Sequence, residues 1–202
     1  MKRFLSIFAL IFAILGLNNQ VRAKGINMEN VKKIVVYFSK TGEQYSVGNI
    51  TEGNTAIIVK MIAEQTGADI FEIKLKNDTY PTAYKALTEV ALAEKKVGAR
   101  PEIAGDVADF GSYDVVFIGT PNWWADMPMA LYTFIESHDW NGKTVIPFIT
   151  HEGSGLASIP NKIKAATNAE MLDGLAIYGH EAQNEREKAE EKVTEWLEKL
   201  GL

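Results

Sequence analysis

The sequence predicts an α/β three-layer sandwich, in which helices cover both faces of a five-stranded parallel sheet in the order 2-1-3-4-5. Short β-branched apolar runs alternate along the chain with longer segments of helical periodicity. Such alternation requires right-handed crossovers, and therefore parallel strands that are covered on both sides. The third run is apolar throughout whereas the second alternates, so we expect the third strand at the centre and the second at an edge.

The predicted elements follow one another through short connections. Strands are expected at Lys33–Phe38, Asp69–Lys74, Asp114–Gly119, Thr144–Thr150 and Leu175–Tyr178. Helices are expected at Asn54–Thr66, Thr82–Lys96, Met127–Ser137, Leu156–Ala166 and Asn184–Leu200. Apolar residues recur on one face of the first helix, and Gly67 ends it. Pro128 is acceptable in a first turn, whereas Pro160 is expected to interrupt the fourth helix.

Residues 1–23 have the pattern of a secretory signal peptide. Lys2 and Arg3 precede an uncharged apolar run, and small residues follow at a position suited to cleavage after Ala23. The run is shorter than the roughly 20 residues that a membrane-spanning helix needs. We therefore expect a cleaved leader, a single domain over residues 24–202 without a membrane span, and an exported, periplasmic protein. An uncleaved segment that anchors the chain in a membrane is the alternative.

Charge and composition exclude several functions. The chain carries 26 acidic and 21 basic residues, and loss of the leader would raise the acidic excess from five to eight. An acidic surface argues against nucleic acid as a partner, since nucleic acid binds clustered lysine and arginine. Cysteine is absent from the sequence, which excludes thiol catalysis. The three histidines lack the spacing of metal ligands, so no metal site is predicted.

The loop that follows the first predicted strand has the composition of a phosphate-binding site. It contains Ser39, Lys40, Thr41 and Gly42, and the first helix then opens with Gly53, Asn54 and Thr55. Backbone N–H groups converge at a helix N-terminus, the helix dipole favours an anion there, and hydroxyl groups add donors. The same residue types are also typical of a plain helix cap, and both interpretations remain open.

The loop after the third strand combines polar residues with two adjacent tryptophans. It reads Thr120, Pro121, Asn122, Trp123 and Trp124. Exposed indoles are costly unless they cover something flat and apolar, so we expect at least one of them to stack on a planar ring. The alternative is burial under the neighbouring helix, which we expect for one of the two.

The loop after the fourth strand is rich in glycine. It reads Thr150, His151, Glu152, Gly153, Ser154 and Gly155. The two glycines allow the main chain to approach a ligand closely. His151 is a candidate proton donor, and a solvated or capping role is favoured for Glu152.

Together the three loops suit a mononucleotide that carries a flat ring. The segments Tyr37–Gly42, Thr120–Trp124 and Thr150–Gly155 resemble those of flavodoxin-like proteins, in particular the long-loop branch called flavodoxin family 4. The resemblance runs from about Val31 to the closing helix and implies non-covalently bound FMN. It implies that the phosphate is held by Ser39, Thr41, Asn54 and Thr55. It places Pro121, Asn122, Trp123 and Trp124 beside the isoalloxazine, with residues Thr150–Gly155 at the other edge of the ring.

One feature departs from ordinary flavodoxins. Residues Glu43–Glu52 separate Gly42 from Gly53, so which of these two glycines contacts the phosphate is open. The inserted segment, which contains Tyr45, lies either over the cofactor or in solvent.

Three functions are compatible with these residues. The first is an electron-transfer flavoprotein that serves a redox partner protein, with carboxylates such as Asp126 and Glu152 lowering the flavin potential. The second is an FMN-dependent NAD(P)H:quinone-type oxidoreductase that reduces a small-molecule acceptor. The third is a non-catalytic FMN-binding module. No Gly-x-Gly-x-x-Gly follows the first strand, which disfavours a dinucleotide-binding Rossmann site.

Overall fold

The computed structural model describes residues 31–202, and the predicted leader lies outside them. The strands are β1 (Lys33–Tyr37), β2 (Gly42–Gln44), β3 (Gly48–Ile50), β4 (Asp69–Glu72), β5 (Lys74–Leu75), β6 (Ile103–Ala104), β7 (Val115–Pro121), β8 (Thr144–His151), β9 (Glu170–Met171) and β10 (Leu175–Tyr178). The helices are α1 (Asn54–Thr66), α2 (Tyr84–Val97), α3 (Met129–Glu136), α4 (Ile159–Thr167), α5 (Gly179–Asn184) and α6 (Arg186–Leu200). None of these helices has the length and apolar surface that crossing a bilayer requires.

The main sheet is parallel and has the predicted strand order. Its strands lie in the order β10-β8-β7-β1-β4, and the short β9 pairs with the start of β8. Each neighbouring pair is parallel. With the five long strands numbered along the chain, this is the order 2-1-3-4-5, so the prediction is confirmed. β7 lies at the centre and β4 at an edge, as the composition of the two strands indicated.

Helices cover both faces of the sheet. On β7, Val116 and Ile118 pack in the core shared with α2, α3 and α4. Val115 and Phe117, which point the other way, pack in the core shared with α1, α5 and α6. Because both of its faces are buried, β7 has no polar face, and this explains its continuous apolar sequence.

One local prediction was wrong, and two local features of the structure were not predicted. Pro160 lies in the first turn of α4 and does not interrupt it, because the N–H that proline lacks has no helical acceptor at that position. The predicted closing helix is present as α6, but a short helix that was not predicted, α5, precedes it and is separated from it by Glu185, whose φ of −132° is not helical. The inserted segment folds as an antiparallel hairpin of β2 and β3, and its strands are too short to show a periodicity in the sequence.

Candidate functional site

A cleft of about 310 Å³ opens at the carboxyl ends of β7 and β8, beside the start of α1. It is lined by residues from each of the three predicted loops: Asn54, Pro121, Asn122, Trp123, Trp124, Thr150, His151, Glu152 and Ser154. At this edge the winding of the chain reverses between β1 and β7, which is where open α/β sheets bind ligands. The structure therefore brings together much of the site that the loops predicted.

The N-terminus of α1 borders the cleft, and its N-cap residue offers no side-chain acceptor. Gly53 is the N-cap residue, and the first turn contains no acidic residue. Ser39 Oγ accepts a hydrogen bond from the Ala56 N–H at 3.2 Å, so the first loop already places one oxygen at this terminus. A helix N-terminus whose N-cap residue has no side chain and whose first turn has no acidic residue favours an anion.

Gly53 allows the first loop to approach the start of α1 closely. A Cβ at this position would lie 2.1 Å from Ser39 Oγ and 3.0 Å from the Lys40 carbonyl oxygen. The φ of Gly53 is −69°, which any residue can adopt. Glycine is therefore required here because of the close contact and not because of the backbone conformation. Of the two glycines that flank the insertion, Gly53 is the one that adjoins the α1 amides.

The other residues of the first loop lie beside the cleft. Ser39, Lys40 and Thr41 line a neighbouring depression of about 220 Å³ on the β4 side. The Lys40 ammonium pairs with Asp78 at 3.1 Å. Gly42 has a φ of 99°, and its backbone packs against Thr82 at the base of the hairpin. That Ser39 and Thr41 contact a phosphate stays a prediction.

Buried threonines form the floor between α1 and the sheet. Thr55 and Thr150 are 1% and 4% exposed, and their Oγ1 atoms lie 2.8 Å apart. Thr120 is fully buried and donates to the Pro121 carbonyl oxygen at 2.9 Å. These hydroxyl groups already have partners within the protein, so a phosphate would contact Thr55 chiefly through its backbone amide.

The two tryptophans occupy different environments. Trp123 is half-buried and packs edge-on against Phe38 and Tyr80, with 5.4 Å between ring centroids in both pairs. Trp124 is 49% exposed, and its indole N–H donates to the Thr88 carbonyl oxygen at 2.9 Å. Trp123 is thus partly a core residue, whereas Trp124 is held at the mouth of the cleft. Stacking on a ring stays a prediction for both.

Trp124 is presented by a turn with left-handed backbone geometry. Trp124 and Ala125 have φ values of 59° and 56°, which residues other than glycine rarely adopt. Asn122 Oδ1 stabilises the turn by accepting from the Ala125 N–H at 3.0 Å. Asn122 also donates its backbone N–H to the Thr150 carbonyl oxygen at 2.9 Å, which ties the second loop to the third.

Asp126 supports this turn from inside the protein. Its carboxylate is buried, accepts hydrogen bonds from the Met127 N–H and the Tyr132 hydroxyl, and pairs with Lys95 and Lys162. Two lysines therefore compensate its charge. It is not among the residues that line the cleft, which leaves Glu152 as the carboxylate that does so.

His151 presents a fixed N–H donor at the cleft. Its Nδ1 accepts a hydrogen bond from the Gly153 N–H at 2.9 Å, so the proton of the neutral ring lies on Nε2. Desolvation by burial lowers the pKa of His151 and favours this neutral form. The Tyr178 ring packs against the imidazole with 4.5 Å between centroids, which fixes its orientation.

Glu152 caps the short helix α5. Its carboxylate accepts from the His180 backbone N–H at 2.7 Å and lies 2.8 Å from His180 Nδ1. A Cβ at Gly179 would lie 2.2 Å from Asn54 Nδ2 and 3.0 Å from Glu152 Oε1, so both side chains pack over bare backbone. The capping role that the sequence favoured for Glu152 is therefore present, although the residue also lines the cleft.

The inserted hairpin forms one wall of the cleft. The sequence had left open whether this segment lies over the cofactor or in solvent. Gln44 and Tyr45 line the cleft together with Tyr84 from α2. Glu43 attaches the hairpin to the start of α2, since its N–H donates to the Thr82 carbonyl oxygen at 2.7 Å and its carboxylate accepts from the Tyr84 N–H at 2.9 Å. Tyr45 is an aromatic residue within a polar insertion, and it was the feature of the sequence that could have indicated this wall.

These features fit a phosphorylated flat ring. The N-terminus of α1, aromatic side chains and the glycine-rich loop after β8 all border one cleft. Gly153 and Gly155 have φ values of 115° and 57°, which expose the main chain of that loop to a ligand. The fold and the position of this cleft define the class of doubly wound α/β proteins whose site lies at the reversal of the sheet.

Comparison with known proteins agrees with this class. The family model described as flavodoxin matches residues 32–200. The chain is similar to the crystal structure of a candidate flavoprotein from Bacteroides eggerthii, with 27% identity and a TM-score of 0.66 over 86% of this chain and 99% of that one. A second candidate flavoprotein, from Bacteroides uniformis, is 27% identical with a TM-score of 0.65 over 83% of this chain and 98% of that one.

A more distant likeness concerns the fold alone. The structure of a flavoprotein in complex with FMN from Lactobacillus acidophilus is 18% identical, with a TM-score of 0.58 over 77% of this chain and 97% of that one. No curated protein matches this chain significantly. Because the family model covers most of its length, the chain belongs to the flavodoxin family.

Proposed function

We propose that the protein binds one FMN non-covalently in this cleft and transfers electrons through it. The observation that carries the proposal is the position of the α1 N-terminus beside a cleft walled by Trp123 and Trp124. The α1 amides and Ser39 would hold the phosphate, while Trp124 and Asn122 would adjoin the isoalloxazine. The bound flavin supplies one- or two-electron redox chemistry. The protein contributes orientation, exclusion of water and a proton donor at His151 Nε2.

A reversible carrier of electrons is the favoured form of this function. The acidic excess of the chain would steer it towards a basic redox partner protein. The carboxylate of Glu152 lines the cleft and would repel the negative charge that a bound flavin gains on reduction. This repulsion would lower the reduction potential of the flavin. Its two hydrogen bonds from His180 disperse that charge, so we expect the lowering to be moderate.

An FMN-dependent NAD(P)H:quinone-type oxidoreductase is the second candidate. Two observations favour it: the neutral His151 carries a proton at the cleft, and the hairpin wall leaves an adjoining space for a second molecule. Anaerobic reductive titration of the FMN-loaded protein separates the two functions. Two resolved one-electron steps without oxidation of NAD(P)H support the carrier. Rapid oxidation of NAD(P)H coupled to quinone reduction supports the enzyme, and bound FMN that exchanges no electrons indicates a redox-inactive module.

We also propose that the protein acts outside the cytoplasm. The proposal is supported by the basic start, apolar run and small-residue exit of residues 1–23. N-terminal sequencing of the protein isolated from its own cells tests it. We expect a start near Lys24 or Gly25, whereas a retained Met1 would contradict cleavage.

A further inference from the structure

A second, more apolar space adjoins the candidate FMN cleft. It has a volume of about 180 Å³ and lies between α2 and the tryptophan turn. We call it the α2 slot. Leu87 and Ala91 of α2 form its apolar side, Trp123 and Trp124 form another, and the side chains of Gln44 and Asn122 border both the slot and the cleft.

The exposed aromatic residues of the protein concentrate around these two spaces. The large apolar side chains that are exposed within residues 31–202 are Tyr45, Ile70, Tyr84, Val97, Trp124 and Tyr178. Three of these six line the cleft or the slot, and Tyr178 packs against His151 at the edge of the cleft. Large aromatic groups left in water beside a cleft indicate a surface that a ligand covers.

Two side-chain amides supply polar groups at the edge of the slot. Asn122 Nδ2 donates to the Gly155 carbonyl oxygen at a long 3.4 Å, and Gln44 Nε2 donates to the Lys40 carbonyl oxygen at 3.5 Å. Each amide nitrogen carries two protons, so each retains an N–H for another acceptor. An apolar, aromatic-walled space with N–H donors at its edge suits a flat ring that bears carbonyl oxygens.

We propose that the α2 slot binds a small quinone of one or two fused rings as the electron acceptor. The identification of this ligand as an acceptor rests on the second candidate function, the quinone-type oxidoreductase, because a molecule in the slot would lie against the same tryptophans that wall the FMN cleft. We expect the binding itself to need no flavin, because Leu87 and Ala91, which form the apolar side of the slot, do not line the cleft. Its volume excludes a bulky macromolecular segment and favours a compact planar ligand.

Equilibrium dialysis with menadione, without any reductant, tests the proposal on the apoprotein and on the FMN-loaded protein. We expect saturable binding at one site in both forms, and weaker binding of methylnaphthalene, which has the same shape but no carbonyl groups. Ala91→Leu is expected to weaken menadione binding by roughly tenfold or more, because the added carbons fill the slot. Ala93→Leu, a change at an exposed position on the opposite face of α2, is the matched control and should bind as the unaltered protein does.

Gln44→Leu provides a second variant on the hairpin, outside the sheet and its two cores. It should reduce menadione affinity towards that of methylnaphthalene, and FMN affinity is measured in parallel because Gln44 also lines the cleft. The proposal is overturned if menadione does not bind, if it competes with FMN for one site, or if Ala91→Leu and Gln44→Leu both bind it normally. A protein that binds menadione and not FMN would overturn the proposed function instead, while keeping the slot.

Discussion

The hydroxyl groups of Thr55 and Thr150 lie 2.8 Å apart in the buried floor between α1 and β8. This hydrogen bond joins the helix whose N-terminus faces the cleft to the strand that ends in His151. Thr55→Val should lower the free energy of unfolding by about 1–3 kcal/mol, because it leaves the Thr150 hydroxyl buried without a partner. Urea denaturation of the two single variants and of Thr55→Val/Thr150→Val measures the coupling. The double variant should lose less than the two single losses added together, and strictly additive losses would show that the hydroxyls do not interact.

Gly53→Ala should weaken FMN binding by about tenfold or more, equivalent to roughly 1.4 kcal/mol. Its Cβ would lie 2.1 Å from Ser39 Oγ and would displace that oxygen from the α1 N-terminus. Gly111→Ala is the matched control, since a Cβ there meets nothing within 4 Å. The dissociation constants are obtained by fluorescence titration with FMN. Equal affinity in both variants would mean that the phosphate lies away from Gly53.

Replacement of the two tryptophans should have distinct effects. Trp123→Ala removes a half-buried ring that packs on Phe38 and Tyr80, and should lower the free energy of unfolding by about 1–3 kcal/mol. Trp124→Ala removes an exposed ring and should change stability little, but it should raise the fluorescence of bound FMN and shift its potential. If neither variant alters the flavin, the aromatic platform is not at the tryptophans.

The protonation of His151 should make stability depend on pH. Burial lowers its pKa in the folded protein below the 6.5 of a free side chain. As the pH falls through that value, the unfolded chain takes up a proton first, so the folded state loses stability until the pH reaches the folded pKa. His151→Asn keeps an acceptor for the Gly153 N–H and cannot be protonated in this range. Between about pH 7.5 and about pH 5 it should lose less stability than the unaltered protein, as measured by chemical denaturation. An identical loss in both would show that His151 does not titrate differently on folding.

The sequence was sufficient for the main sheet because its strands carry strong local patterns. The apolar run from Val115 to Gly119 could only be buried on both sides, and the helix at Asn54–Thr66 has a clear apolar face that ends at Gly67. The short helix α5 was not predicted, because its six residues are too few to show a helical periodicity in the sequence. Tertiary contacts, such as those that Glu152 makes with His180, decide where α5 begins.

The location of the site could be predicted from the sequence, but only some of the contacts between its residues could. The carboxyl ends of neighbouring parallel strands must meet at one edge, which placed Asn54, Trp124 and His151 together. Side-chain pairing between distant segments, such as Asp126 with Lys162, leaves no signal in one sequence. The sequence left the position of the hairpin open for the same reason, since contacts with distant residues such as Thr82 and Tyr84 hold it against the cleft.

Titration of the purified protein with FMN tests the central claim most directly. If the α1 N-terminus and the tryptophan turn form a flavin site, FMN should bind at one saturable site, its visible spectrum should change on binding, and the melting temperature of the protein should rise. A protein that stays colourless after incubation with FMN and dialysis, with an unchanged melting temperature, would contradict the assignment.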